Sequence, residues 1–379
     1  MRNDRLALCN CTLACRTWLL VARPYLFRCL SFDTSLRRVP AIQRIRNNPD
    51  IAPLVRVLEL KHGADFNALD LPVATAAFSR DPPQRSEFSK VTTLRLTREF
   101  AFTKYTASLL SILFPLVDTL NLERCVARSL ESFTTILCAF PNLRTVDLND
   151  VEWLHLPTGD IEPEEDIPFS MLPEPRLASS HIDSLSVGFD ALCPTIAQWF
   201  ASSTAYRSPR VLKGPLGLNA NALRTLVQVC GEHAEHLHLS IADAYHPERA
   251  LLEAAQLDLS SCLSLRSLCL NFEPFPRSRS RSRPPPRRRP TGRNPSRVFA
   301  LLSTIRSRHL EEVRFLITSQ TLREMEWDEL DRKLSSEEYL GAVRRVALEV
   351  YSALVDDFDF VRERLPLFSM RGVLEFSAM

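Results

Sequence analysis

The sequence predicts an α/β solenoid in which parallel strands are joined by helical crossovers, and three observations predict it. A six-residue phrase, apolar-x-x-apolar-x-apolar, recurs at Val55–Leu60, Val91–Leu96, Val117–Leu122, Leu143–Leu148, Ile182–Val187, Ala234–Leu239, Leu265–Leu270, Leu310–Phe315 and Val343–Leu348. Its fourth and sixth residues alternate with polar or charged ones, as a half-buried strand requires. The stretches between phrases carry apolar residues at helical spacing, so each repeat contributes one short strand to a stack. A chain of 379 residues is also too long for one ordinary core, and a stacked array suits that length.

The first thirty residues differ from the repeats. Leu6 to Leu20 reads as one amphipathic helix that Arg23-Pro24 should break, and Tyr25 to Leu30 forms a second short apolar segment. From residue 91 the repeat is regular: Val91, Val117 and Leu143 open phrases 26 residues apart, a leucine-rich-repeat-like period. Helices are expected over 106–114 and 130–140, each followed by a proline (Pro115, Pro141) ahead of the next strand. Further helices are expected over 191–202, 221–232, 247–256, 297–308 and 337–343. Val211–Leu218 is a degenerate strand between the fifth and sixth phrases. An acidic, proline-punctuated loop from Gly159 to Pro175 separates the fourth phrase from the fifth. A second interruption, 274–297, is rich in Arg, Ser and Pro and cannot bury a core, which predicts disorder.

The N-terminal segment resembles the second half of an F-box, as found in large fungal families. The residues that carry the resemblance are Leu8, Cys11, Leu13, Ala14, Cys15, Arg16 and Trp18, an apolar helix ending in a Cys-Arg-x-Trp phrase. Arg23-Pro-Tyr-Leu-Phe-Arg and the segment from Ile45 to Leu60 are similar to the stretch that succeeds the box in that group. The half that opens with Leu-Pro-x-Glu, which supplies much of the adaptor contact, would stand upstream of Met1. The expected organisation is a partial F-box-like helical segment over 1–32, then an irregular leucine-rich-repeat-like solenoid over 33–379. The resemblance implies a substrate receptor of a Skp–cullin–RING ubiquitin ligase, with Leu8, Cys11, Leu13, Cys15 and Trp18 contacting a Skp-type adaptor. The alternative is a repeat scaffold for protein–protein interaction that has lost ligase coupling.

Composition narrows the remaining classes. The formal charge of +2 hides an uneven distribution: nine Arg and no acid fall within 277–297, and the rest of the chain carries an acidic excess. Nucleic acid is therefore expected to bind, if at all, only through that tract. The tract has three readings: a loop without a specific role, a nuclear-import or nucleic-acid patch, or a mistranslated intron. No stretch approaches a membrane span, and no apolar leader succeeds the charged first residues, so a cytoplasmic or nuclear protein is expected. The ten cysteines lie singly, mostly among leucines, and read as small core residues. Cys9-x-Cys11-x3-Cys15 lacks a second ligand pair, and His233-x2-His236-x-His238 lacks a completing carboxylate or thiol, so no metal or other cofactor is expected.

Catalysis finds equally little support. The nine glycines form no phosphate-binding loop, and neither a nucleophile elbow nor His-Glu-x-x-His occurs. The acids at Glu162 to Asp166, and Asp356, Asp357 and Asp359, read as solvated. Binding is the better reading. In each phrase the leucine-like residues point inward, so the third and fifth residues face the other side of the sheet. That side, concave in an arc, would present Thr93, Arg95, Thr119, Asn121, Thr145, Asp147, His236, His238, Arg314 and Arg345 to a target protein. The same ladder of polar side chains could equally be a plain solvated face.

Overall fold

The computed structural model describes residues 7–10, 13, 15–33, 50–61, 88–97, 101–102, 107, 110–111, 113–127, 129–153, 182–188, 194–202, 209–216, 220–241, 256–272, 296–334, 343–351 and 355–378. They fall into two compact units, Met1–Ile182 and Asp183–Met379.

In the first unit the strands are β1 (Cys29–Asp33), β2 (Val57–Lys61), β3 (Thr93–Thr97), β4 (Ala101–Phe102), β5 (Thr119–Glu123), β6 (Val126–Ala127), β7 (Thr145–Asn149) and β8 (Glu152–Trp153). β1, β2, β3, β5 and β7 lie side by side, all parallel, and β4, β6 and β8 form a second small parallel ladder. The register aligns the phrases residue for residue: Leu58, Leu94, Leu120 and Val146 form one inward row, and Leu60, Leu96, Leu122 and Leu148 the next.

Local hydrogen bonding explains why each strand starts at the third residue of its phrase. The first residue closes a turn: the amides of Val55, Val91, Val117 and Leu143 donate to the carbonyls of Ala52, Phe88, Phe114 and Phe140. Pro115 and Pro141 occupy the second position of two of these turns, where their fixed φ is already correct. The second and third amides then share one carbonyl of the preceding rung. Thr92 and Thr93 donate to Arg56, Asp118 and Thr119 to Thr92, and Arg144 and Thr145 to Asp118. The two lone pairs of each carbonyl oxygen accommodate both donors.

Helix Leu130–Cys138 is capped by Ser129, whose Oγ accepts from the Ser132 amide at 3.1 Å, and it buries Phe133, Ile136 and Leu137 along one face. The N-terminal helix corrects the expectation of a single helix from Leu6 that stops at Arg23-Pro24. It spans Arg16–Leu26, with Cys15 extended as its N-cap and Pro24 inside it. Pro24 sits in the last turn, where it removes one amide bond while Phe27 N still donates to Arg23 O at 3.1 Å, so the helix survives it. β1 comes directly after it, and the boundary drawn between residues 32 and 33 cuts through this first rung.

In the second unit β9 (Ser184–Val187), β10 (Val211–Pro215), β11 (His236–Ser240), β12 (Ser267–Asn271), β13 (Glu312–Thr318), β14 (Arg345–Tyr351) and β15 (Leu374–Ala378) are parallel neighbours in that order. The shared-carbonyl pattern continues through Arg210, Glu235, Arg266 and Glu311. Helices Pro194–Ser202, Ala220–Cys230 and Ser296–Ser303 fall within the expected segments or start one residue ahead of them. The helices expected over 247–256 and 337–343, the loop 159–175 and the tract 274–295 lie outside the described residues, apart from Gln256, which is helical, and Val343, which is not.

The degenerate strand forms as β10, with Gly214 paired to Leu239 where a leucine-like residue belongs. Leu223 of the following helix fills the space: a Cβ at Gly214 would stand 2.9 Å from Leu223 Cδ1. Helices Ser319–Glu324, Trp327–Leu334, Val355–Arg364 and Pro366–Met370 close the C-terminal part. Trp327, fully buried, donates from Nε1 to Leu322 O at 2.7 Å and meets Phe315 edge-on. Asp357 corrects the reading of its cluster as solvated: it is fully buried and accepts from Arg323 Nε and Nη2 at 3.0 and 2.8 Å. Buried Asp331 accepts the amides of Leu367 and Phe368 and so caps the Pro366–Met370 helix from a distant part of the chain.

Candidate partner-binding face

The third and fifth residues of the phrases do form the face opposite the buried rows. In the first unit Thr93, Thr119 and Thr145 stand in register on adjacent strands, as do Arg95, Asn121 and Asp147 beside them. All are half-buried except Arg95, which is exposed. A row of β-branched hydroxyls suits the pleat, and the second row supplies a cation, an amide and a carboxylate in sequence across three rungs.

The second unit carries the other four expected residues on the same side of its own sheet. His236 is exposed, His238 half-buried, Arg314 half-buried and Arg345 exposed. The register sets His236, Ser267, Glu312 and Arg345 in one row and Lys213, His238, Cys269, Arg314 and Ala347 in the other. Glu312 is the hub. Its Oε1 accepts from Arg314 Nη2 and Arg345 Nη1, both at 3.0 Å, and its Oε2 from Ser267 Oγ at 3.1 Å. Arg314 also reaches Glu349 at 3.4 Å, and Arg345 reaches Glu375 at 2.7 Å. Sequence reasoning did not select Glu349, Glu375 or Lys213. Glu349 lies one residue beyond its phrase, while Glu375 and Lys213 sit on strands whose phrases are incomplete.

These groups titrate as their surroundings dictate. Burial alone would raise Glu312, but the hydrogen bond and charge of Arg314, the Ser267 hydroxyl and the Arg345 charge hold it below the ordinary carboxylate range. His238 is held below the usual imidazole range by burial, then by the Lys213 and Arg314 charges. Burial pushes the Cys269 thiol up to about 12, so it is no nucleophile at neutral pH. Glu235, on the strand margin, is held low first by its hydrogen bonds from Arg210 at 3.0 and 2.8 Å. Among the described residues no group of three or more His, Cys, Asp or Glu is placed to hold a metal ion.

The expected adaptor residues lie apart from this face. Leu8 is half-buried, and Leu13, Cys15 and Trp18 are exposed; Cys11 lies outside the described residues. Leu19, Leu20, Val21 and Tyr25, which sequence reasoning did not select, share this exposure, and Ala22 is the buried residue of the Arg16–Leu26 helix. The signal for the exposed run 18–21 and Tyr25 is a string of large apolar residues, Trp18-Leu-Leu-Val21, too continuous for one face of a helix to bury. No helix among the described residues is long and apolar enough to cross a membrane. No protein-family model matches this chain, and no curated protein matches it.

Proposed function

We propose that this chain is a non-catalytic, F-box-like substrate receptor of a Skp–cullin–RING ubiquitin ligase, working in the cytoplasm or nucleus. The helix Arg16–Leu26 docks the Skp-type adaptor, and the outward rows of the sheet hold a target protein. The observation that carries this reading is the exposure of the helix: Trp18 is 53% exposed, Leu20 72% and Tyr25 64%, large apolar side chains left open to solvent around the helix. An adaptor would cover it. The leucine-rich-repeat-like character of the remaining chain is supported by Cys125. Val117, Leu120, Leu122 and Cys125 spell L-x-x-L-x-L-x-x-C, and Cys125 Sγ donates to Leu96 O of the preceding rung at 3.1 Å. No covalent step is assigned to the chain; ubiquitin transfer belongs to other subunits.

The test is co-purification with a Skp-type adaptor, using this chain and a version extended upstream. Binding that is lost in Trp18→Asp/Leu20→Asp supports the proposal. Absence of binding by both forms rejects ligase coupling and leaves a repeat scaffold.

A further inference from the structure

On the outward face of the second unit, rungs β10 to β13 surround a shallow depression of about 300 Å³. Its shape follows from side-chain size. The small residues Ser267 and Cys269 of β12 form the floor, while His236 and His238 on one flank and Glu312 and Arg314 on the other rise above them. Lys213 stands outside His238, one rung further on. Three strand spacings of about 4.8 Å separate Lys213 from Arg314, roughly 14 Å between Cα atoms, a gap that two long side chains and one small ionic group close.

The charge of this lining is lopsided. β10 contributes Lys213, β11 His236 and His238, β12 the thiol Cys269, and β13 Glu312 and Arg314. Glu312 is the carboxylate of the set, and Ser267, Arg314 and Arg345 already occupy it. Lys213 is exposed and has no ion-pair partner among the described residues. Arg314 is shared between Glu312 and Glu349, so Lys213 is the charge of the depression that the described residues leave uncompensated, and a protonated His238 would add to it.

We propose that this depression seats the side-chain carboxylate of an Asp or Glu in an acidic segment of the target protein, between Lys213 and Arg314 and above Cys269. The inference rests on the outward face being the partner surface and is independent of the adaptor helix. Charge complementarity selects the occupant: an anion completes Lys213, whereas a cationic or apolar segment would leave it unpaired beside His238 and Arg314. The site also couples binding to protons. In the free protein His238 is held low by burial, then by Lys213 and Arg314. A bound carboxylate offsets those two charges and raises the imidazole, so binding takes up a proton. Affinity is therefore highest below the free imidazole's range, and the gain is lost as pH rises through the bound-state value.

The experiment uses the full chain and two end-blocked fluorescent peptides, Gly-Ser-Glu-Glu-Asp-Glu-Ser-Gly and its Gln/Asn counterpart, read by polarisation at low salt. The expected result is binding of the acidic peptide alone, tighter at pH 6 than at pH 8. Lys213→Glu should weaken it tenfold or more, and Lys90→Glu, at an exposed position outside the depression, should leave it unchanged. Trp18→Ala/Leu20→Ala should bind the peptide as the parent does, which separates this inference from the adaptor reading. Equal binding of the two peptides overturns the proposal. So does an equal loss in Lys213→Glu and Lys90→Glu, which would mark diffuse attraction. Displacement of the peptide by millimolar sodium acetate would assign the site to a free carboxylate and overturn the protein source.

Discussion

Arg124 and Asp150 stand 26 residues apart at the same position of successive rungs, and both adopt left-handed backbone, with φ of 54° and 59°. Arg124 Nε lies 3.4 Å from Asp150 Oδ2, and its amide donates to Asn149 O at 2.8 Å. Each marks the point where the chain leaves a long rung, β5 or β7, for the short one after it, β6 or β8. Left-handed backbone disfavours L side chains, least for Asn and Asp and most for β-branched residues. Asp150→Asn should therefore lie within about 0.5 kcal/mol of the parent, because an exposed ion pair contributes little. Asp150→Val should lose about 1–2 kcal/mol, read from urea unfolding midpoints.

Leu120 and Leu268 are fully buried in the inward rows of their units. Leu268→Ala should cost about 2–5 kcal/mol through lost burial and the cavity left behind. Leu120→Asp should unfold the first unit's stack outright, since it would set a carboxylate between Leu94 and Val146 in the buried row. Thermal unfolding by circular dichroism checks both, with a lowered midpoint for Leu268→Ala and no cooperative transition for Leu120→Asp; parent-like melting of Leu120→Asp would contradict the inward assignment.

Gly214 and Leu223 share one space. Gly214→Leu should destabilise by about 2–3 kcal/mol through overpacking. Leu223→Ala in the same chain should recover part of that loss, a coupling that a double-mutant cycle measures. Additive losses would show that the two sites do not compete.

Glu312 gives the C-terminal rungs an acid-sensitive contribution. Its folded-state value lies below the unfolded one, so its stabilisation is fully present above the unfolded range near pH 4.5 and is lost as pH falls through the folded value. Glu312→Gln should flatten that part of the stability–pH curve below pH 5. An unchanged slope would remove Glu312 as a contributor.

Thiol reactivity reports the two environments of the cysteines. Burial raises Cys125 and Cys269 to about 12, and Cys230 and Cys262 to about 11. These four should resist a thiol reagent at pH 8 until the chain unfolds, whereas exposed Cys9, Cys15 and Cys29 should label at once. Mass spectrometry after brief labelling distinguishes them.

Much of this fold is legible in the sequence because its unit is short and strictly placed. The nine phrases all form strands, since two inward residues per rung carry the burial and the polar residues between them cannot. The misses have physical causes. Phe27, Leu30 and Phe32 spell the same phrase in β1, but the adjoining helix makes the segment look like a lead-in to the repeats. In β10 a glycine and a neighbouring helix do the work of the sixth residue. In β15 the first position is Arg371 and the apolar pattern shrinks to Leu374 and Phe376. The left-handed turns at Arg124 and Asp150 have no glycine to announce them. Of the site, the rows themselves are readable from period two, whereas the pairing of Glu312 with arginines from two strands requires the register.

That register can be measured directly. Thr119 and Thr145 face each other across β5 and β7, so Thr119→His/Thr145→His creates an imidazole pair that Ni²⁺ can bridge in the folded chain. Metal at about 100 times its Kd should stabilise this variant by about 2.7 kcal/mol, seen as a raised Tm, and should leave the parent and Thr119→His/Asn149→His unmoved. A rise in the offset pair, or none in the facing pair, would contradict the parallel alignment on which both faces depend.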